Sequence, residues 1–170
     1  MTVLQAALLI VFPLLMAYAA ASDLVTMTIP NKLSLALVVT FVMFAVIGSL
    51  SWGAIAMHVA AGALMLAICF GMFAFGWIGG GDAKLVAATA FWLGFDTLVD
   101  YLFIATIGGG ILTLALLVWR RSPLPGFTLT WDWLLRLHDR KTGIPYGIAL
   151  AGAGLAVYPH STIWMAVLRP

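Results

Sequence analysis

The sequence predicts an all-α protein that crosses a lipid bilayer several times. Of its 170 residues, 64% are hydrophobic and only 8% are charged, which leaves too little polar surface for a water-soluble globule. The eight basic residues and six aspartates stand singly or in short clusters, between apolar stretches of about the length that spans a bilayer core. These observations predict one membrane-embedded domain over residues 1–170, with the lipid bilayer as its surroundings.

Six apolar segments are predicted as transmembrane helices, at residues 3–21, 33–50, 55–77, 83–95, 102–119 and 145–168. The fourth is visibly short, because 13 helical residues reach only about 20 Å against a hydrocarbon core of about 30 Å. Either this helix continues through Asp96 to Asp100, or it begins below the membrane surface. In the second case the stretch 79–81 dips inward and Asp82 lies in the inner leaflet.

The basic residues predict the orientation, because Lys and Arg near span ends stay on the cytoplasmic side. An external N-terminus leaves only Arg169 outside and places seven basic residues inside: Lys32, Lys84, Arg120, Arg121, Arg136, Arg140 and Lys141. Asp23 and Asp82 then share the cytoplasmic face. The polar stretch at about 119–144 is predicted to be a cytoplasmic loop with a short interfacial helix near Trp131 and Trp133.

Composition and motifs exclude several classes of function. A net charge of +2 without a basic stripe argues against a nucleic-acid partner. The single cysteine, Cys69, excludes an internal disulfide and a multi-cysteine metal site, and a chain without Glu has no His-Glu-x-x-His motif. The absence of a Gly-x-Ser-x-Gly stretch disfavours a serine protease, and the absence of a phosphate-binding loop disfavours nucleotide binding. Neither a metal nor another cofactor is expected.

Two aspartates stand out by their surroundings. Asp23 closes the first segment and is followed by Ile29, Pro30 and Asn31, of which Pro30 fixes the turn and Asn31 can cap the next helix. Asp82 opens the fourth segment, where helix N-terminal amides favour a carboxylate. It follows three glycines in a G-x-G-D pattern: Gly79, Gly80 and Gly81.

Two carboxyl groups in a partly dry cavity cannot both ionise easily, so one holds a proton while the other removes one from water. This is the arrangement of aspartic proteases. The glycines permit positive φ and let an extended substrate backbone approach the carboxylate. Either aspartate alone could be a helix cap or an interfacial charge, but the pair in these contexts favours catalysis.

The motifs around Asp23 and Asp82, continued by Ala83-Lys84-Leu85, together with Ile144-Pro145-Tyr146-Gly147, resemble those of the type IV prepilin peptidases. The resemblance is to the short form associated with tight-adherence (Flp-type) pili. It implies six helices, catalytic aspartates at Asp23 and Asp82, and Tyr146 and Gly147 lining the site. It also implies cleavage of the short basic leader of a prepilin or pseudopilin after a glycine, at the cytoplasmic face of the bacterial inner membrane.

The chain departs from its longer relatives, which carry a cytoplasmic domain with paired cysteines and also methylate the new N-terminus. With one cysteine and no such insert, the resemblance extends to peptidase activity only. Residues 24–28 also lack the basic residues common there in relatives. Two other functions stay open from the residues alone: a small ion-coupled transporter, because paired intramembrane carboxylates mark ion paths, and a non-enzymatic scaffold for pilus assembly.

Overall fold

The computed structural model describes residues 3–47, 50–128 and 130–168, and within these ranges the chain forms helices and no β-strand. The α-helices are α1 (Val3–Thr26), α2 (Asn31–Ile47), α3 (Trp52–Ala74), α4 (Gly80–Trp119), α5 (Asp132–His138), α6 (Gly147–Val157) and α7 (Thr162–Leu168). Short 3₁₀ helices occupy Gly126–Thr128 and Tyr158–His160. The predicted all-α class is confirmed for the described residues. Arg169, the one basic residue predicted on the external side, is not among them.

Three of the described helices are long and apolar enough to cross a membrane: α1 over Leu9–Thr26, then α3 and α4. The apolar helix α2, with 17 residues, is just shorter than the usual span. Large apolar side chains on the outside of the bundle are exposed. The exposed fractions of Val46, Phe70 and Phe103 are 73%, 65% and 65%. Such a surface suits lipid rather than water. The six crossings and their orientation stay predictions.

Local sequence sets both ends of α3. The hydroxyl of Ser51 accepts a hydrogen bond from the backbone N–H of Ala54 (3.2 Å), which satisfies a free donor in the first turn. At the other end Gly76 adopts φ 74° and its N–H donates to the carbonyl of Phe73, while Trp77 donates to Met72. This is a Schellman motif, which requires a residue that tolerates positive φ.

Helix α4 is broken at Gly94, which has φ 63° and ψ −175° in the middle of an otherwise helical stretch. The chain reverses there, as the interactions of Tyr146 with residues of both arms of α4 indicate. Its hydroxyl donates to the carbonyl of Ala105 (3.3 Å), and it interacts electrostatically with Asp82. On a straight helix Asp82 and Ala105 would lie about 35 Å apart. The first arm therefore runs from Gly80 to the break, and the second arm returns beside it.

The predicted segments 83–95 and 102–119 are thus the two arms of α4. The second arm becomes helical directly after the break at Gly94, earlier than predicted, because glycine accommodates the reversal within a single residue. The fourth segment does not continue straight through Asp96 to Asp100. The predicted segment 145–168 is divided into α6, a 3₁₀ turn containing Pro159, and α7.

The centre of the bundle is an aromatic cluster around Trp92, which is fully buried in the first arm of α4. Its rings belong to four different helical segments and pack at centroid distances between 4.4 and 6.2 Å: Phe12, Phe41, Phe44, Trp92 and Tyr158. The indole N–H of Trp92 donates to the carbonyl of Leu37 (2.8 Å), so its polar atom is satisfied in the core. This cluster fixes the first arm of α4 against α1 and α2.

Candidate active site

Asp23 lies in the last turn of α1 and is only 5% exposed. The helix ends shortly after it, because Met27 adopts a left-handed conformation with φ 54°. The backbone N–H of Met27 donates to the carbonyl of Asp23 (2.9 Å), and the hydroxyl of Ser22 donates to the carbonyl of Thr28 (2.9 Å). These bonds make the connection after α1 compact, so the position of Asp23 is fixed by its own segment.

Gly147 holds the carboxyl group of Asp23 from the far end of the chain. Its backbone N–H, at the start of α6, donates to Oδ2 of Asp23 (2.7 Å). A Cβ placed on Gly147 would lie 2.8 Å from that oxygen and 2.9 Å from Cδ1 of Ile29. The lack of a side chain therefore allows the amide to reach the carboxyl group.

Asp82 occupies the third position of α4, and Gly79 is the N-cap residue. The Asp82 carboxylate bonds back to the backbone N–H of Gly79, which is the contact that an acidic residue makes in a capping box. A negative charge is also favoured at this end of the helix dipole. As a residue, Asp82 is partly exposed, whereas Asp23 is buried.

The three glycines before Asp82 serve close packing, not positive φ. Gly79 is extended with φ −70°, and Gly80 and Gly81 already belong to the first turn of α4. A Cβ on Gly80 would lie 3.2 Å from the ring of Phe73, and one on Gly81 would lie 3.2 Å from Cβ of Ile29. Positive φ among the described glycines occurs at Gly76 and Gly94. The predicted positive φ in the glycine run is therefore wrong, because the helix begins within it. The predicted approach of a substrate backbone to these glycines stays a prediction.

The fold brings the two aspartates together. Asp82 is close enough to Asp23 to experience its charge, although the two residues belong to different helices. Ile29 fills the space beside them and contacts both Gly81 and Gly147. The two aspartates thus lie near each other at one end of the bundle.

Tyr146 forms part of the wall of this region. Its ring lies against Gly109 in the second arm of α4, where any side chain would overlap it. Tyr101, from the same arm, is completely buried and interacts electrostatically with both Asp82 and Tyr146. The predicted site residue Gly147 therefore contacts Asp23 directly, and Tyr146 precedes it in the chain with its ring against α4. Tyr101 is a buried residue of the same region that no sequence motif indicated.

Lys84 connects the two motifs that carry the aspartates. Its Nζ donates to Oδ1 of Asn31 (2.8 Å), so it does more than anchor the chain at an interface. Asn31 is the first residue of α2 rather than the residue before it, which leaves its side chain free for this contact. The carbonyl of the preceding Pro30 accepts from the N–H of Leu33 (3.0 Å) in the first turn of α2.

Arg120 is a further residue that the sequence did not single out. It is only 5% exposed at the end of α4, and its guanidinium donates to three backbone carbonyls: Leu137 (2.7 Å), Thr142 (3.2 Å) and Gly143 (2.9 Å). These bonds hold the segment that leads into Tyr146 and Gly147. In the sequence, Arg120 and Arg121 are adjacent residues of the same type, so nothing local predicts that Arg120 is buried and Arg121 is exposed.

Among the described residues, no three His, Cys or carboxylate side chains come together in a way that could hold a metal ion. The described groups at the site are the two carboxyl groups and the backbone N–H of Gly147. Two adjacent carboxyl groups with unequal surroundings are suited to proton transfer, with one group as acceptor and the other as donor.

Fold and site together define a helical membrane protein with a pair of interacting carboxyl groups at one end of its bundle. The sequence profile of the type IV leader peptidase family matches residues 10–114, which is more than half of the chain. The protein belongs to this family, and membership implies protease activity. The match includes Asp23 and Asp82 but ends before Tyr146 and Gly147. No curated protein and no solved structure matched the chain.

Proposed function

We propose that the protein is an aspartic endopeptidase that cleaves the leader peptides of prepilins or pseudopilins, with Asp23 and Asp82 as its catalytic pair. The observation that carries this proposal is the approach of these two carboxyl groups at one end of the bundle, where Gly147 fixes one of them. The family supports a leader peptidase in general terms. The G-x-G-D and Ile-Pro-Asn contexts support the aspartic mechanism and the Flp-type substrate.

In this mechanism one carboxylate accepts a proton from a water molecule, and the water oxygen attacks the carbonyl carbon of the scissile peptide bond. The other carboxyl group donates its proton to the carbonyl oxygen, which gives a neutral tetrahedral intermediate. When the C–N bond breaks, the carboxylic acid formed in the first step protonates the leaving amine. The other group, now a carboxylate, takes a proton from one of the two hydroxyl groups of the intermediate, which gives the carboxyl product and restores both groups to their starting states. The Gly147 amide keeps Asp23 in place throughout, because its N–H donor does not titrate.

We place the active site at the cytoplasmic face of the bacterial inner membrane, with the N-terminus outside and six crossings. The distribution of basic residues supports this orientation. The contacts of Asp23 with Gly147, and of Lys84 with Asn31, show that all the motifs lie at the same end of the bundle. That common end is the one with the basic residues Lys32 and Lys84.

The proposal is tested with purified protein in lipid, a candidate prepilin and sequencing of the new N-terminus. Asp23→Asn and Asp82→Asn should each lower the cleavage rate by about 10³-fold or more, because proton transfer fails. Asp100→Asn is the matched control, since Asp100 is an exposed carboxylate in the second arm of α4. Processing at the normal rate by both site variants would contradict the proposal.

The same preparations distinguish the two rival functions. A transporter predicts uptake into proteoliposomes that depends on Asp82 and no peptide cleavage by the wild type. A scaffold predicts that all three aspartate variants behave alike in cleavage and in pilus assembly.

A further inference from the structure

The chain that leads from α5 to α6 binds the end of α1 at two points. The guanidinium of Arg136 donates to the carbonyl of Val25 (3.0 Å). The backbone N–H of Gly147 donates to Oδ2 of Asp23 (2.7 Å). Val25 and Asp23 are two residues apart in the last turn of α1. The segment 136–147 therefore begins and ends at the part of α1 that carries the buried carboxyl group.

Arg120 binds the middle of this segment from the end of α4. Its Nε donates to the carbonyl of Leu137 (2.7 Å), and its terminal nitrogens donate to the carbonyls of Thr142 (3.2 Å) and Gly143 (2.9 Å). A guanidinium presents its donors in one rigid plane, so carbonyls that it binds together are fixed relative to each other. The buried Arg120 side chain thus holds both ends of the turn 137–143.

The connection from Gly143 to Gly147 is short and stiff. Only three residues separate the two glycines. One of them is Pro145, which fixes its own φ and disfavours helical conformations for the residue before it. The N–H of Ile148 donates to the carbonyl of Pro145 (3.3 Å), so the first turn of α6 starts at the proline. A displacement of the turn 137–143 should therefore reach the Gly147 amide with little loss.

We propose that Arg120 is a positioning residue for catalysis, which holds the Gly147 amide where it orients the carboxyl group of Asp23. The inference rests on the proposed function and extends it, because Arg120 acts on the reaction only through the backbone of another segment. Catalytic groups must be placed precisely, since an error of about 1 Å can lower a rate on the order of 100-fold. Loss of part of the Arg120 contacts should have part of that effect.

Steady-state cleavage kinetics test this role. Arg120→Lys keeps the positive charge but lacks the planar set of donors, so it should lower kcat about tenfold while the KM for the prepilin stays within about twofold. Arg121→Lys is the matched control, because Arg121 is the exposed neighbour of the same type, and it should cleave at the wild-type rate. An Arg120→Lys protein with the kcat of this control would overturn the inference.

A double-mutant cycle distinguishes positioning of Asp23 from any other effect of Arg120. In Gly147→Ala the Asp23 carboxyl group is already displaced, so adding Arg120→Lys should lower kcat by less than about twofold more. If Arg120 acts independently of the contact between Gly147 and Asp23, the two fold-changes multiply and the inference is overturned. The assays are run well below the melting temperature of every protein in the cycle, so that unfolding does not enter the rates.

Thr142→Val replaces Arg120→Lys in these assays if the latter is not recovered in folded form. The Thr142 hydroxyl donates to the carbonyls of Arg136 (2.6 Å) and Asp139 (2.7 Å), so its loss loosens the same turn and leaves Arg120 in place. It should lower kcat about threefold, and an unchanged kcat would contradict the inference. If wild type fails to cleave, or Asp82→Asn cleaves at the normal rate, the proposed function itself fails. Normal cleavage by the Arg120 or Thr142 variant overturns the positioning role alone.

Discussion

At the scale of single residues, Gly147 contributes both a donor and a space to the candidate site. The donor is its backbone N–H, which any residue except proline also has. The space is the missing Cβ, which would otherwise lie within 3 Å of both Asp23 and Ile29. The position therefore requires glycine because of the space around the Asp23 carboxyl group, and not because of a positive φ.

Gly147→Ala should lower the rate of leader cleavage by about 10- to 100-fold, because the methyl group displaces the Asp23 carboxyl group from its position near Asp82. Gly152→Ala is the control on the same helix, since no atom lies within 4 Å of a Cβ built there. We expect that control to keep full activity and a similar melting temperature. Equal rates for the two variants would show that the contact with Asp23 is unimportant.

The Lys84–Asn31 hydrogen bond joins two sequence motifs that are each weak evidence when taken alone. Each residue is exposed and polar, and each alone is ordinary at the end of an apolar helix. Their contact of 2.8 Å joins the start of α2 to the start of α4, and Ile29 and Gly81 pack directly beside it. The two aspartate-bearing segments are therefore held together by a polar and an apolar contact.

At the scale of elements, the break in α4 depends on a residue of another helix. Gly94 leaves the helical conformation three residues after Phe91, within the turn that follows the Phe91 carbonyl. His58 of α3 provides a donor to this carbonyl: its Nδ1 lies 2.8 Å from the Phe91 oxygen and must be the protonated nitrogen, since a carbonyl only accepts. The imidazole also lies 3.0 Å from the space where a Gly94 side chain would be.

His58→Ala should destabilise the protein by about 1–3 kcal/mol, because it removes a partly buried hydrogen bond between α3 and the broken turn of α4. Thermal unfolding in detergent measures this effect. His160→Ala, an exposed histidine in the 3₁₀ helix Tyr158–His160, is the control and should unfold at the wild-type temperature. A His58→Ala protein as stable as that control would show that the break at Gly94 needs no support from α3.

The segment before α6 depends in the same way on α4. Arg120 binds three carbonyls of residues 137–143, and the chain then continues directly to Tyr146 and Gly147. A buried guanidinium without such acceptors would be costly, so these bonds are required for Arg120 to lie where it does. The position of the Gly147 amide therefore depends on Arg120, at the C-terminal end of α4, whereas Asp82 lies in the first turn of the same helix.

At the scale of the whole molecule, the described contacts sort into two ends. Asp23, Asp82 and Gly147 meet at one end, and the contacts of His58 with Gly94, and of Asp96 with Thr162, lie at the other. The break in α4 lies at this second end, and each arm of α4 runs between the two ends. Which end faces the cytoplasm follows only from the charge pattern.

Labelling of single cysteines tests that orientation. In a Cys69→Ala background, Gly53→Cys should react with a membrane-impermeant maleimide added outside spheroplasts, and Ser122→Cys should react only after the membrane is opened. Both positions are exposed, and a Cβ on Gly53 meets no atom within 4 Å, so neither substitution disturbs packing. The reverse labelling pattern would place the aspartates outside and contradict the proposed orientation.

The sequence by itself determined the helical class, the membrane character and the candidate aspartates. Composition and hydropathy are sums over local stretches, and the G-x-G-D and Ile-Pro-Asn motifs are each contiguous, so both can be recognised without a fold. The ends of α1, α2 and α3 also lie within a few residues of those predicted, because helix ends follow local signals such as Pro30 and Ser51.

Only the tertiary structure decided how those parts meet. The Gly147–Asp23 bond joins residues 124 positions apart, and the role of Arg120 depends on carbonyls at the far end of a loop. The reversal at Gly94 depends on His58, which lies in another helix. No local pattern encodes such contacts, because they arise when apolar helices pack and each buried polar group must find a partner. For that reason the two aspartates were visible in the sequence, but their approach was not.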